Sequence, residues 1–347
     1  MTRPARLRRG ALAVAAALAF ALAFTRAGAA QQITVKMGTL APAGSPWHQI
    51  LLDMGDQWRA ATNGGVQLRI YPGGVLGDDT DLVLKMRIGQ IQAAGLTSQG
   101  LGAIDPSVRA LQIPMMLHSY EQLDYVRDHM RAQLEAALAA KGFIVLNWGD
   151  VGWVYFFTKS PVKTVGEIRA MKLFCWAGAA DDCDLYRKAG FQPVALQATD
   201  MLTGLQTGLI NAFDSPPLFA LADQLFGEAK YMCDVKWAPL IGATVISKAA
   251  WDRIPPAQQA AMMQAAQAAG ARLRAEIRKM DGQAVAAMQQ RGLVVVHADA
   301  AEQAGWQQEA EKAYPLLRGS YVSPQLFDQA QQLANQFENV KGARGGH

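Results

Sequence analysis

From Pro255 the chain reads PPAQQAAMMQAAQAAGARLRAEIRKMDGQAVAAMQQRG, a helix-forming run of about 35 residues that stops near Gly292. At 1.5 Å of rise per residue such a helix is about 50 Å long, beyond the width of one small domain. Either it is a bent helix lying across two lobes, or it breaks into two helices at the internal Gly270 and Gly282. The apolar GLVVVHA (292–298) must then return to a sheet, and GWQQEAEKAYPLLRG and SPQLFDQAQQLANQFENV supply closing helices. A chain that crosses between lobes more than once makes a clamshell.

Upstream, strand and helix patterns alternate. ITVKMGTL (33–40) and VQLRIYPG (66–73) read as strands, and the helix between them has Ser45 as cap, Pro46 in its first turn and Gly64 and Gly65 as its stop. This βαβ unit points to a parallel sheet. A helix capped within Asp78, Asp79 and Thr80, the strand AAGLTS (93–98), a second helix and the strand FIVLNW (143–148) extend the first α/β set. GWVYFFTK (152–159), MKLFCW (171–176), the short helix DDCDLYRKAG, PVAL (193–196) and INAFDSPP (210–217) make another. The fold class is therefore α/β in two lobes.

The first thirty residues combine an arginine-rich start, an apolar stretch from Ala11 to Phe24 and small residues before Gln31, the layout of a cleaved secretory signal. The expected location is periplasmic. The leader holds five of the 33 basic residues and no acidic one, so the mature chain carries 28 basic against 29 acidic residues. A near-neutral chain without a basic stripe excludes nucleic acid as a partner class. Cys175 and Cys183 are close enough to bridge across CWAGAADDC with Cys233 left over; equally, all three read as small buried hydrophobes.

Catalytic patterns are missing. No G-x-S-x-G, phosphate loop, paired-cysteine metal pattern or H-E-x-x-H occurs, and the five histidines at 48, 118, 129, 297 and 347 are scattered. Nothing calls for a cofactor or metal, and binding without chemistry is the simpler inference. In MKLFCW, Lys172, Phe174 and Trp176 share one face, and two aromatics leave the strand where a ligand could sit. Thr97 and Ser98 end a first-lobe strand, and open α/β sheets bind ligands at such carboxyl ends.

Six segments in order carry a resemblance: KMGTLAPAGSPWHQ (36–49), YPGGVLGDDTDLVLKMRIGQI (71–91), ALQIPMMLHSYEQ (110–122), SPVKTVGEIRAMKL (160–173), TDMLTGLQTGLINAFDSPP (199–217) and ISKAAWDRIPPAQQ (246–259). Together, behind a secretion signal, they resemble the solute receptors of tripartite ATP-independent periplasmic (TRAP) transporters, the DctP family. The resemblance implies a two-lobed periplasmic binding protein with hinge strands and a long helix spanning both lobes. The implied boundaries are a signal at 1–30, lobe I from 31–151 plus about 242–290, lobe II from 152–241 plus about 291–338, and a disordered tail at 339–347. Implied partners are a small-molecule ligand, TRAP membrane permease subunits and, in some systems, a periplasmic helical-repeat protein.

Typical members of that family carry an arginine in the strand matching MKLFCW, which pairs with the ligand's carboxylate, and an asparagine in the turn matching FDSPP. Here Phe174 and Ser215 stand in those places, and NWGDVGWVYFF offers Trp148 and Trp153 where some members have another arginine. A carboxylate taken from water needs a cation and hydrogen bonds, and a phenylalanine supplies neither. The expected cargo is thus hydrophobic or weakly polar, walled by Phe174, Trp176, Phe213, Ser215, Trp153, Trp148 and Trp237, with Thr97 and Ser98 as polar contacts. Asp214 among these aromatics is alternatively a counter-ion for an alkylated ammonium. A carboxylate-binding receptor with a relocated Lys172, Lys85 or Arg109, a secreted enzyme and a sensory receptor are the rival readings. A Phe174 ring turned into its lobe, with another guanidinium in the cleft, would overturn the hydrophobic cargo.

Overall fold

The computed structural model describes residues 32–178 and 180–345. The secretory leader expected at 1–30 lies outside the described residues. No helix among the described residues is long and apolar enough to cross a membrane.

The first lobe begins as the sequence implies. Strand β1 (Ile33–Thr39) leads into helix α1 (Pro46–Ala61), whose Ser45 cap accepts from the His48 amide, and β2 (Val66–Tyr71) returns parallel to β1. Helix α2 (Asp79–Arg87) opens with a capping box in which Asp78 and Asp81 each accept from the other end of the turn. Strand β3 (Ala93–Thr97) joins β1 on its free edge; α3 (Ser98–Ile104) and α4 (Tyr120–Ala140) follow.

The two strands expected at 143–148 and 152–159 are one. Strand β4 (Phe143–Thr158) runs unbroken between the lobes, bent by irregularities between Val145 and Asn147 and between Asp150 and Gly152. Gly152 takes φ +137°, and a Cβ there would stand 2.9 Å from the Pro216 Cβ, so only glycine fits this bend. In the second lobe lie α5 (Val165–Arg169), β5 (Lys172–Trp176), α6 (Ala180–Lys188), β6 (Gln192–Leu196), α7 (Met201–Gln206), β7 (Ala212–Ser215), α8 (Pro217–Ala222) and β8 (Tyr231–Cys233). Strand β9 (Ala238–Ser247) then runs back beside β4, and α9 (Lys248–Trp251) follows.

The sheet order is β2-β1-β3-β9-β4-β7-β5-β6, with β8 also beside β4 and β10 (Val294–Val296) on β8. The parallel sheet expected from the first βαβ unit holds within each lobe. The crossing strands β4 and β9 are antiparallel to each other and to their neighbours β7 and β3. Two adjacent crossing strands are the hinge.

Helix α10 (Pro256–Gln289) settles the question of one helix or two: it is a single 34-residue helix. At its start the Trp58 indole donates to the Met262 carbonyl at 3.0 Å in the first lobe, and at its end Met288 is buried in a second-lobe cluster with Phe157 and Phe213. Helix α11 (Ala300–Ser320) carries Trp306 in the second lobe, and its C-terminal Leu317 joins the first-lobe core. Helix α12 (Pro324–Gly345) corrects two expectations. It packs on the first lobe, where the Gln122 amide donates to the Ala334 carbonyl at 3.1 Å, although 291–338 was expected in lobe II. It also remains helical through 339–345, where an irregular tail was expected. The reason is the apolar face of α4, with Leu123, Val126, Met130 and Leu134, which needs cover.

Candidate functional site

Opposite the hinge the lobes touch. The Asp78 carboxylate of the first lobe accepts from the Ala198 amide of the second at 2.8 Å. Beside it, a Cβ on Gly74 would stand 2.6 Å from the Thr199 methyl, and Thr80 lies against Gly178. Between this rim and the hinge the lobes enclose a cavity of about 210 Å³.

Both lobes and the hinge line it. From the first lobe come Thr39, Trp47, Thr97 and Gln99; from the hinge strands, Asn147, Asp150, Leu240 and Thr244; from the second lobe, Phe174, Trp176, Asp214 and Ser215. Helix α10 contributes Leu273, α6 contributes Leu185 and Tyr186, and Leu316 of α11 and Tyr321 just after it complete the wall.

Six of the ten residues expected from the sequence meet here: Phe174, Trp176, Asp214, Ser215, Thr97 and Trp237. The other four lie elsewhere. Phe213 is fully buried on the opposite face of β7, stacked on Phe157 at 5.0 Å. Trp148 turns into the first-lobe core and donates its indole to Glu135 at 2.9 Å. Trp153 packs against Tyr120 at 5.8 Å. Ser98 is buried in the first turn of α3. Strand alternation decides all but the last: the residue next to a cavity-facing one points into the core.

Phe174 touches the cavity only in passing. It is 1% exposed and belongs to the second-lobe core with Phe213 and Leu205, edge-on to Trp176 at 5.7 Å. The arginine in the cavity lining is Arg169, at the end of α5, its guanidinium paired with Glu309 at 2.8 Å and resting over Phe191. The three cations considered from the sequence lie outside the lining. Lys172 donates to the Gly208 carbonyl at 3.2 Å, Lys85 to the Leu76 carbonyl, and Arg109 pairs with Asp182 at 3.3 Å while stacking on Tyr321.

The electrostatics are dominated by buried acids. Asp150, at the bend of β4, faces Arg278 of α10 at 2.6 Å; burial nonetheless raises its carboxyl above the usual range. Asp214 accepts from the Tyr186 hydroxyl at 3.3 Å, and burial pushes its pKa up to about 6. Under the floor formed by Thr97, Asp79 accepts from the Thr97 amide and hydroxyl and from the Gly100 amide, yet burial lifts it to about 7. The sequence pattern carried no signal for Arg169, Tyr186 or the α11 wall, because no periodicity records which loop ends converge across a cleft. Cys175 and Cys183 are bridged, tying β5 to α6 along this wall, and Cys233 is free and buried.

A cavity closed between two α/β lobes joined by two hinge strands and one long helix defines a two-lobed solute-binding protein. Residues 37–318 match the model of the bacterial extracellular solute-binding protein family 7, DctP, and the chain belongs to that family. It is 25% identical to the 2,3-diketo-L-gulonate-binding periplasmic protein of Escherichia coli, over 70% of this chain and 74% of that protein. It is 24% identical to the C4-dicarboxylate-binding periplasmic protein of Rhodobacter capsulatus, over 71% and 74%. Among solved structures, a TRAP periplasmic solute-binding protein of Pseudomonas putida with bound D-glucuronate superposes with a TM-score of 0.79 at 21% identity, over 87% of this chain and 96% of that one. The sugar acid-binding protein of Advenella mimigardefordensis with galactonate gives 0.82 at 16% identity, over 88% and 99%.

The hydrophobic cargo expected from the sequence is corrected on both counts. The relatives named here bind acids, and in this chain the Phe174 ring turns into its lobe while Arg169 reaches the cavity.

Proposed function

We propose that this protein is the extracytoplasmic receptor of a TRAP-type transporter, capturing one small, polar or weakly polar solute between its lobes and presenting the closed form to membrane permease subunits. The observation that carries the reading is the enclosure itself: a cavity walled by both lobes, with Asp78 of one bonded to the Ala198 amide of the other across its mouth. Closure around a solute is a signal that a membrane partner can read, because the outer surface changes only when the cavity is filled. A periplasmic helical-repeat partner belongs to the same reading as an accessory of the permease. The relatives are receptors, which supports binding without turnover.

Two measurements test this. Organic extraction of freshly purified protein followed by mass spectrometry should recover one solute per chain. Adding that solute to stripped protein should shrink the radius of gyration in X-ray scattering. Conversion of the solute, or an unchanged radius, counts against the receptor. Arg169 favours a second reading of the cargo, a carboxylate: the residue is part of the cavity lining, its buried Nε has no hydrogen-bond partner, and relatives take acids. In that case the extracted solute is an acid, and Arg169→Gln weakens it at least about ten-fold, the worth of a charge-assisted hydrogen bond.

A further inference from the structure

The cavity extends past the ends of β5 and β7. Leu173 pairs with Ala212, so Asp214 shares the sheet face of Ala212, away from Phe213. On that face the lining continues between α6 and α11, with Leu185, Phe191, Trp237 and Leu240 as apolar walls. Four carboxylates line the whole cavity, and three face arginines: Asp150 with Arg278, Asp182 with Arg109, and Glu309 with Arg169. Asp214 accepts from the Tyr186 hydroxyl, and no basic side chain among the described residues forms an ion pair with it. The guanidinium of Arg169 is matched by Glu309, so one negative charge in the cavity is left for a ligand to balance.

We propose that the arm between α6 and α11 is a subsite for an ammonium group on an apolar body, with Asp214 as its counter-ion. The proposal rests on the receptor reading above and narrows its solute. A desolvated carboxylate is stabilised by a cation brought into the same enclosure, and a solute carboxylate placed there would instead repel it. Trp237 and Tyr186 line the arm as aromatic walls for the substituents of an alkylated ammonium, while Phe191 lies beneath the Arg169 guanidinium. The Arg169–Glu309 pair then closes the arm as a neutral unit.

Tyr186 of α6 and Tyr321 beyond α11 face Asp214, and the Asp182–Arg109 pair acts on those two tyrosines from the far side. Burial raises the Asp214 carboxyl itself to about 6. Ammonium binding therefore strengthens as pH rises through about 6.

The test uses three probes of one chain length, hexylammonium, 1-hexanol and hexanoate, titrated by calorimetry into the stripped mature protein. Hexylammonium should bind at least about ten-fold tighter than either of the others at pH 7.5 and lose most of that margin at pH 5. Asp214→Asn should abolish the margin while leaving hexanol within about two-fold. Should that variant fail to fold, the pH dependence of the unaltered protein decides. Hexanoate binding best, an order unchanged by Asp214→Asn or by pH, or no heat from hexylammonium overturns the subsite. An acid recovered by extraction overturns it too, yet leaves the receptor standing.

Discussion

Asp79 is fully buried where α2 meets the end of β3, with one carboxylate oxygen taking three donors from Thr97 and Gly100 and the other taking none. Burial outweighs those donors and holds its pKa at about 7, above the ordinary 3.8. A raised carboxyl favours the folded state fully below pH 3.8, and that contribution is lost as pH rises through about 7. Thermal melts should therefore show stability declining from mildly acidic pH to pH 8, by at most about 1.4 kcal/mol per pH unit for one group. Asp79→Asn should flatten that slope; an unchanged slope assigns it elsewhere. Such a residue reads in the sequence as one of three candidate caps. The cap proved to be Asp78, and the burial of its neighbour follows from a β3 loop 18 residues on.

Helix α10 comes closest to the hinge backbone at a glycine. A Cβ on Gly270 would stand 2.6 Å from the Asn147 Cβ and 2.7 Å from the Trp148 carbonyl oxygen, while Gly282 on the same helix has nothing within 4 Å. Gly270→Ala gains about 1 kcal/mol of helix propensity but forces helix and strand apart, so it should destabilise by about 1–3 kcal/mol net. Gly282→Ala should stabilise by up to about 1 kcal/mol. Urea titrations of the two variants must move in opposite directions. At the second-lobe wall, the Cys175–Cys183 bridge spans eight residues with Cα atoms 5.7 Å apart and holds α6 against β5. Replacing both cysteines by serine should cost about 2–3 kcal/mol. Faster amide exchange should be confined to α6, and spread across the whole second lobe would show a wider role.

At the scale of the molecule, the closed state rests on few contacts at the rim. Asp78 both caps α2 and accepts from Ala198 across the mouth. Asp78→Ser keeps a capping oxygen on a shorter side chain and gives up the contact between lobes. Solute affinity should fall about ten-fold, the worth of a hydrogen bond to a charged group, with the melting temperature of stripped protein nearly unchanged. A comparable fall in that melting temperature would assign Asp78 to the fold alone. Scattering should show the variant open at solute levels that close the parent protein.

Taken alone, the sequence determined the alternation of strands and helices, the two lobes, the extent of the helix-forming run from Pro255 and the aromatic and polar residues at strand ends; that this run is one unbroken α10 was decided by the structure. Those features follow from local periodicity, caps and turns, which act over a few residues. Tertiary structure decided that the segments at 143–148 and 152–159 are one hinge strand, that α12 returns to the first lobe, and that Phe174 faces a core while Arg169 faces the cavity. Each depends on which surfaces meet across distant parts of the chain. A two-residue alternation says that one side of a strand is buried; the second layer of helices decides what each side is buried against.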